Sequence, residues 1–343
     1  MTSCWLVVGG KTYPSIQMKS KSKRMLIEPL FTTHPVSLIE HRIKLFLTVR
    51  DETQRSLEHK KRELFDLIIK VLRVNPMLHY SQGYHDIAQV FLLVLGEEAA
   101  FTAVTRVSLL RIRDYMLSNL RPAIKHLQLV PVILTCTDPE LARHVGQVPP
   151  NYALSAVLTL FAHDIEEYTD IARLFDFILA HEPVLSIYLF AALIISRRSE
   201  LLGIPADEDD MLLFTLSKLP RPLKLQPLID KALEIHKNHP PERLPGQVWS
   251  DISSYSVLKT SRRRLREQSL VEGQELFRKQ SRQLDREMLT ARVVQQLRKN
   301  QRPIVSFGAT LVVGLLSYYL RKQGHDRMLW SILWRATELI QGR

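Results

Sequence analysis

Apolar positions recur along most of this chain in short stripes at helical spacing, with polar or proline-bearing breaks between them. ELFDLIIKVL, residues 63–72, sets Leu64, Leu67, Ile68, Val71 and Leu72 on one face. Asn75–Pro76 ends that stripe, because proline pushes the residue before it out of the helical region. HDIAQVFLLVLG, residues 85–96, predicts a second helix, capped by Asp86 and stopped by Gly96. The same reading predicts helices over 100–116, 123–135, 151–163, 168–180, 184–198, 207–218 and 224–237. Prolines such as Pro139, Pro149, Pro183 and Pro205 mark the breaks. An all-α domain of about 200 residues is the expectation, spanning 40–245, behind an N-terminal segment 1–39.

One break is unlike the others. NPMLHYSQGYHD, Asn75 to Asp86, is polar and lies between two strongly apolar runs. Gly83 suits a turn or a close backbone approach, and Gln82 beside it is placed to point outward. A polar loop between two buried helices is rigidly presented, which is how a fold offers a side chain to another molecule. Upstream, VRDETQRSL (49–57) places Arg55 near a helix start.

The chain of 343 residues carries a net charge of +12. Between Lys259 and Arg302 stand 13 basic and 5 acidic residues, so +8 of the excess lies in one short segment. This part, residues 246–303, reads as a basic polar linker, either a polar helix or a disordered tether. Its RRRLR run suits anionic headgroups better than nucleic acid, because a long apolar run lies just downstream and the region before it is nearly balanced. Nucleic acid is therefore not an expected partner. Cys4 and Cys136 are too few and too distant for a disulfide framework or a zinc site. No phosphate-binding loop, dinucleotide fingerprint, zinc-protease motif or nucleophile elbow occurs, and the histidines do not cluster at ligand spacing. No metal site is expected.

Ile304–Leu320 is a run of 17 residues without a charge, flanked by Arg302 on one side and by Arg321 and Lys322 on the other. As a helix it would span roughly 26 Å, close to the thinner hydrocarbon core of the endoplasmic reticulum. Tyr318 and Tyr319 fall at one end, where interfacial aromatics belong. A single transmembrane helix over 304–320 is expected, with a short amphipathic tail over 321–343. With so little chain after it, this would be a tail anchor that leaves the preceding domain in the cytosol.

The loop and the arginine stretch together resemble the TBC-domain GTPase-activating proteins of Rab GTPases. Tyr80-Ser81-Gln82 matches that family's YxQ motif, and Val49-x-x-Glu52-x-x-Arg55 is similar to its IxxDxxR motif, with Glu52 where the family has Asp. ARLFDFILAHEP (172–183) resembles a later family segment. The resemblance implies a multi-helix Rab-GAP domain that supplies two groups in trans. Arg55 would stabilise charge on the transferring phosphoryl oxygens, and Gln82 would orient the attacking water. Glu52, Tyr80, Gly83, Tyr84 and Asp86 would support them or contact the Rab. The protein would hold no cofactor of its own, since GTP and Mg2+ are carried by the GTP-bound Rab. It would be an activator, not itself an enzyme, in the endoplasmic reticulum membrane on the route to the Golgi. The alternative within the same fold is a catalytically weak or inactive Rab-binding membrane scaffold.

Overall fold

The computed structural model describes residues 5–8, 11–14, 54–262 and 265–299, together with 314–315, 318–319 and 322. A short antiparallel hairpin opens it. Strand β1 (Trp5–Val8) pairs with β2 (Lys11–Pro14), Trp5 facing Pro14 and Val8 facing Lys11. The sequence reading expected no strand there. From Gln54 onward every described regular element is helical.

Helix α1 (Gln54–Val74) buries the five residues that its periodicity placed on one face, each at 1% exposure or less. It packs on α2 (Tyr84–Leu110). That 27-residue run is apolar and long enough to cross a membrane, yet it is not one rod. Gly96 adopts φ 74°, ψ 170° inside it, and the Tyr84 hydroxyl reaches the Ser108 hydroxyl at 2.7 Å. Residues 24 positions apart on a straight helix would be separated by about 36 Å. The run is therefore a helical hairpin folded at Gly96, with arms over 84–95 and 97–110. The sequence-derived helix end at Gly96 agrees with this.

A 3-10 turn (Arg113–Met116) leads to α3 (Arg121–Leu127), α4 (Leu129–Thr137) and α5 (Pro139–Val145). Asp138 caps α5 by accepting from the Leu141 N–H at 3.0 Å. Next come a 3-10 turn (Pro150–Ala153) and the short α6 (Leu154–Leu158). The single helix expected over 151–163 thus stops early, and a tight turn follows it. Helix α7 (Tyr168–Ala180) precedes α8 (Leu185–Ser196), whose residues from Leu185 to Ile194 are all buried. A helix that is apolar all round belongs at the centre of a core, and α8 packs on α4. Then follow α9 (Arg198–Leu202), α10 (Asp209–Leu216) and α11 (Leu225–Asn238), the last against α8.

The segment expected as a linker is built differently. After α12 (Val257–Thr260), α13 runs from Leu270 to Lys299. Two compact units divide the chain after Ser281, so residues 246–281 are part of the first. Three arginines, of α2 and of the turn after it, receive them. Arg106 donates to the carbonyls of Leu265 (2.5 Å) and Gln268 (2.9 Å), and Arg111 to the carbonyl of Ser261 (3.1 Å). Arg113, fully buried, donates to the carbonyl of Tyr255 at 2.5 Å and to Thr260 Oγ1. Asp114 accepts from the Val257 N–H (2.9 Å) and from Gln280 Nε2 (2.7 Å). The linker reading fails here because the partners lie about 150 residues upstream, beyond any local pattern. Beyond Ser281, α13 carries exposed Leu289, Val293 and Val294. Most of the expected 304–320 span lies outside the described residues; Leu315, Tyr318 and Tyr319 are helical and exposed.

Candidate functional site

The loop between α1 and α2 is fixed from its first residue. Asn75 closes α1 twice, its N–H and its Nδ2 both donating to the carbonyl of Val71 at 3.0 and 3.1 Å. The His79 N–H donates to the carbonyl of Met116 at 2.9 Å, tying the loop to the 3-10 turn after α2. Ser81 to Tyr84 form a tight turn, with the Tyr84 N–H on the Ser81 carbonyl at 3.1 Å. Gly83 holds the third position at φ 87°, ψ −8°, the left-handed value that a type II turn needs there. Gln82 sits at the apex and is exposed.

Behind Gln82 the side chains are packed and paired. Tyr80 and Tyr84 meet edge to face with centroids 6.2 Å apart. The Tyr84 hydroxyl donates to Ser108 Oγ, which donates in turn to the Val104 carbonyl at 2.7 Å. Burial, with the nearby Asp86 carboxylate, raises the Tyr80 phenol far above its usual range, so it stays protonated and can donate to His85 Nδ1 at 2.8 Å. Asp86 does not cap α2. The N-cap is Gly83, without a side-chain bond, and Asp86 lies in the first turn, where a carboxylate suits the helix dipole. It is 3% exposed. Its Oδ2 accepts from His163 Nδ1 at 3.1 Å, and its Oδ1 stands 3.8 Å from His85 Nε2.

His163 belongs to the turn that ends α6. Leu160 and Phe161 both take positive φ, 51° and 63°, a conformation that costs a non-glycine residue of order 1–3 kcal/mol. Burial of both side chains and the Phe161 N–H on the Ala156 carbonyl at 2.6 Å hold it. Thr159 Oγ1 donates to the Ser155 carbonyl at 2.8 Å and accepts from the His163 N–H at 3.3 Å. The Thr159 methyl lies directly against Gly83: a Cβ on residue 83 would stand 2.5 Å from it. Sequence reading singled out Tyr80, Gln82, Gly83, Tyr84 and Asp86, which lie together in this loop, and did not reach Thr159 and His163, which pack against it. Nothing local to TLFAHD signals two left-handed residues.

Arg55 falls in the first turn of α1. Its side chain and Glu52 lie outside the described residues. Among the described residues no cluster of three or more His, Cys, Asp or Glu side chains could hold a metal. What the loop offers is an exposed amide that can both donate and accept, on a turn whose two ends are fixed.

The helical body from Gln54 onward, with this loop between its first two helices, is similar to a known domain family. Residues 11–202 match the Rab-GTPase-TBC domain, and the chain belongs to that family of Rab GTPase-activating proteins. It is 35% identical over 202 residues to TBC1 domain family member 20 of Bos taurus and 34% identical over 202 residues to that of Homo sapiens. Each alignment covers 57% of this chain and 49% of the relative, so the chain spans about half the length of these curated relatives. To GTPase-activating protein gyp10 of Schizosaccharomyces pombe it is 31% identical over 235 residues, covering 67% of this chain and 63% of that one.

Proposed function

We propose that this chain accelerates GTP hydrolysis by a Rab GTPase, with Gln82 orienting the attacking water and Arg55 stabilising charge on the transferring phosphoryl group. The observation that carries this reading is Gln82 itself, exposed at the apex of a turn whose neighbours on both sides are buried or hydrogen-bonded. A preorganised polar group aimed at the reacting water needs no rearrangement at the moment of reaction. A guanidinium fork supplied in trans adds charge where the transition state develops it, an effect on the order of 10³–10⁵ in rate for Ras-type GTPases. GTP and Mg2+ come with the Rab.

The test is single-turnover hydrolysis by a panel of GTP-loaded Rabs with the full chain and with its Arg55→Ala and Gln82→Ala variants. Acceleration of one Rab by orders of magnitude, abolished by either substitution, is the expected result. Binding without acceleration would favour the scaffold reading, for which Glu52 in place of the family aspartate is the motive.

The location proposed is the endoplasmic reticulum membrane, through a membrane-spanning helix over 304–320. Its support is the uncharged run with basic flanks, and the exposed helical Leu315, Tyr318 and Tyr319 within it. Deletion of residues 304–343 should release the protein from membranes; retention would refute the anchor.

A further inference from the structure

We infer that His163, seated on the strained turn after α6, is a positioning residue for Gln82, acting through Asp86 and through the Gly83–Thr159 contact. The inference rests on the reading of Gln82 as the water-orienting group.

Two pieces of chain about 80 residues apart meet at this point. The Gln82 turn is stiffened on its outer side by a set of donors and acceptors that is consistent throughout. Tyr80 donates to His85 Nδ1, which leaves the His85 Nε2 proton facing Asp86 Oδ1 at 3.8 Å. His163 Nδ1 donates to Asp86 Oδ2 at 3.1 Å. Tyr80 and His85 stand on either side of the four turn residues, so their bond staples the turn shut. Asp86 links that staple to the α6 turn. The backbone N–H of Asp86 also donates to the Gly83 carbonyl at 3.0 Å, so a shift of Asp86 is passed to the residue next to Gln82.

The second contact acts on the same residue from the other side. Gly83 has no room for a Cβ because of the Thr159 methyl, and Thr159 Oγ1 holds the His163 N–H. Thr159 and His163 thus press and pull on the Gln82 turn from one rigid support. That support contains two buried residues at positive φ, and such strain persists only where packing over-determines it. Asp86 is almost fully buried while the His163 side chain is 37% exposed. Removing the imidazole therefore takes a donor from a buried carboxylate without opening a hole in the core.

The experiment uses the full chain and the Rab that responds best to it. Single-turnover rates are measured against chain concentration for wild type, His163→Ala, His163→Asn, Gln82→Ala and the Gln82→Ala/His163→Ala pair. His163→Ala should lower the limiting rate about tenfold, within the roughly 10²-fold that a misplacement of about 1 Å can cost. The half-saturating concentration should not move. His163→Asn, whose amide nitrogen falls where Nδ1 was, should restore most of the rate. Added to Gln82→Ala, His163→Ala should cost nothing more. A wild-type limiting rate in His163→Ala beside a slow Gln82→Ala overturns the positioning role and leaves the finger intact. So does a change in half-saturation alone, which would mark His163 as a Rab contact. A wild-type rate in Gln82→Ala, or no Rab accelerated by the wild type, removes the finger reading and this inference with it.

Discussion

The hydroxyls of Tyr84 and Ser108 are 2.7 Å apart although one helical run of 27 residues contains them both. That bond exists because Gly96 turns the run back on itself. Its φ and ψ of 74° and 170° fall in a region open in practice only to glycine, at a cost of about 1–3 kcal/mol for other residues. A Cβ at position 96 would meet nothing within 4 Å, so Gly96→Ala isolates the backbone term. It should lower unfolding stability by about that amount in urea. An unchanged midpoint would mean that alanine tolerates this conformation.

Gly83 faces two obstacles at once, left-handed φ and the Thr159 methyl. Gly83→Ala should cost about 1–2 kcal/mol for the backbone conformation alone, and more for the contact. Thr159→Ser removes the methyl and keeps the hydroxyl that bonds Ser155 and His163. The pair Gly83→Ala/Thr159→Ser should therefore be more stable than Gly83→Ala alone, measured by thermal unfolding. Equal losses in both would show that the contact is soft.

The C-terminal part of the first unit is locked to the body by charge. Arg113 and Asp114 are both wholly buried, and Asp114 also lies 3.3 Å from His126 Nε2. Asp114→Ala leaves Arg113 without its neighbouring countercharge and strips acceptors from Gln280 and the Val257 N–H. A loss of about 3–5 kcal/mol is expected. Truncation before residue 250 should give an aggregated or unfolded product on gel filtration, whereas truncation after residue 299 should not. A folded product ending at 250 would refute the lock.

Asp114 also sets a pH dependence. Burial alone would raise its carboxyl, but the His126 hydrogen bond, the charges of His126 and Arg113 and the Val257 N–H hold it well below the usual carboxylate range. A depressed folded pKa stabilises the fold at pH values above the ordinary 3.8, and that contribution is lost as pH falls below it. Wild type should therefore lose stability on acidification from about pH 4. The difference between wild type and Asp114→Asn should shrink over the same window in urea titrations. A constant difference would assign the acid sensitivity to other groups.

The helix end at Gly96, the apolar face of α1 and the exposed Gln82 beside Gly83 could all be read from residue order. Each is decided by neighbours within a turn or two: periodicity sets the buried face, proline and glycine set the breaks, and glycine licenses the left-handed turn. The TBC family too was visible in short motifs of this kind. The fold of α2 into a hairpin, the strained turn at Leu160 and Phe161, and the use of residues 246–281 as core were not visible. Nor was the pairing of Asp86 with His163 in place of a helix cap. The hairpin, the 246–281 core and the Asp86–His163 pair depend on contacts between residues 24 to about 165 positions apart, and the strained turn on burial of its side chains; their free energy appears only when the chain has closed on itself. Local sequence determined which groups this protein offers. Tertiary packing decided how firmly they are held.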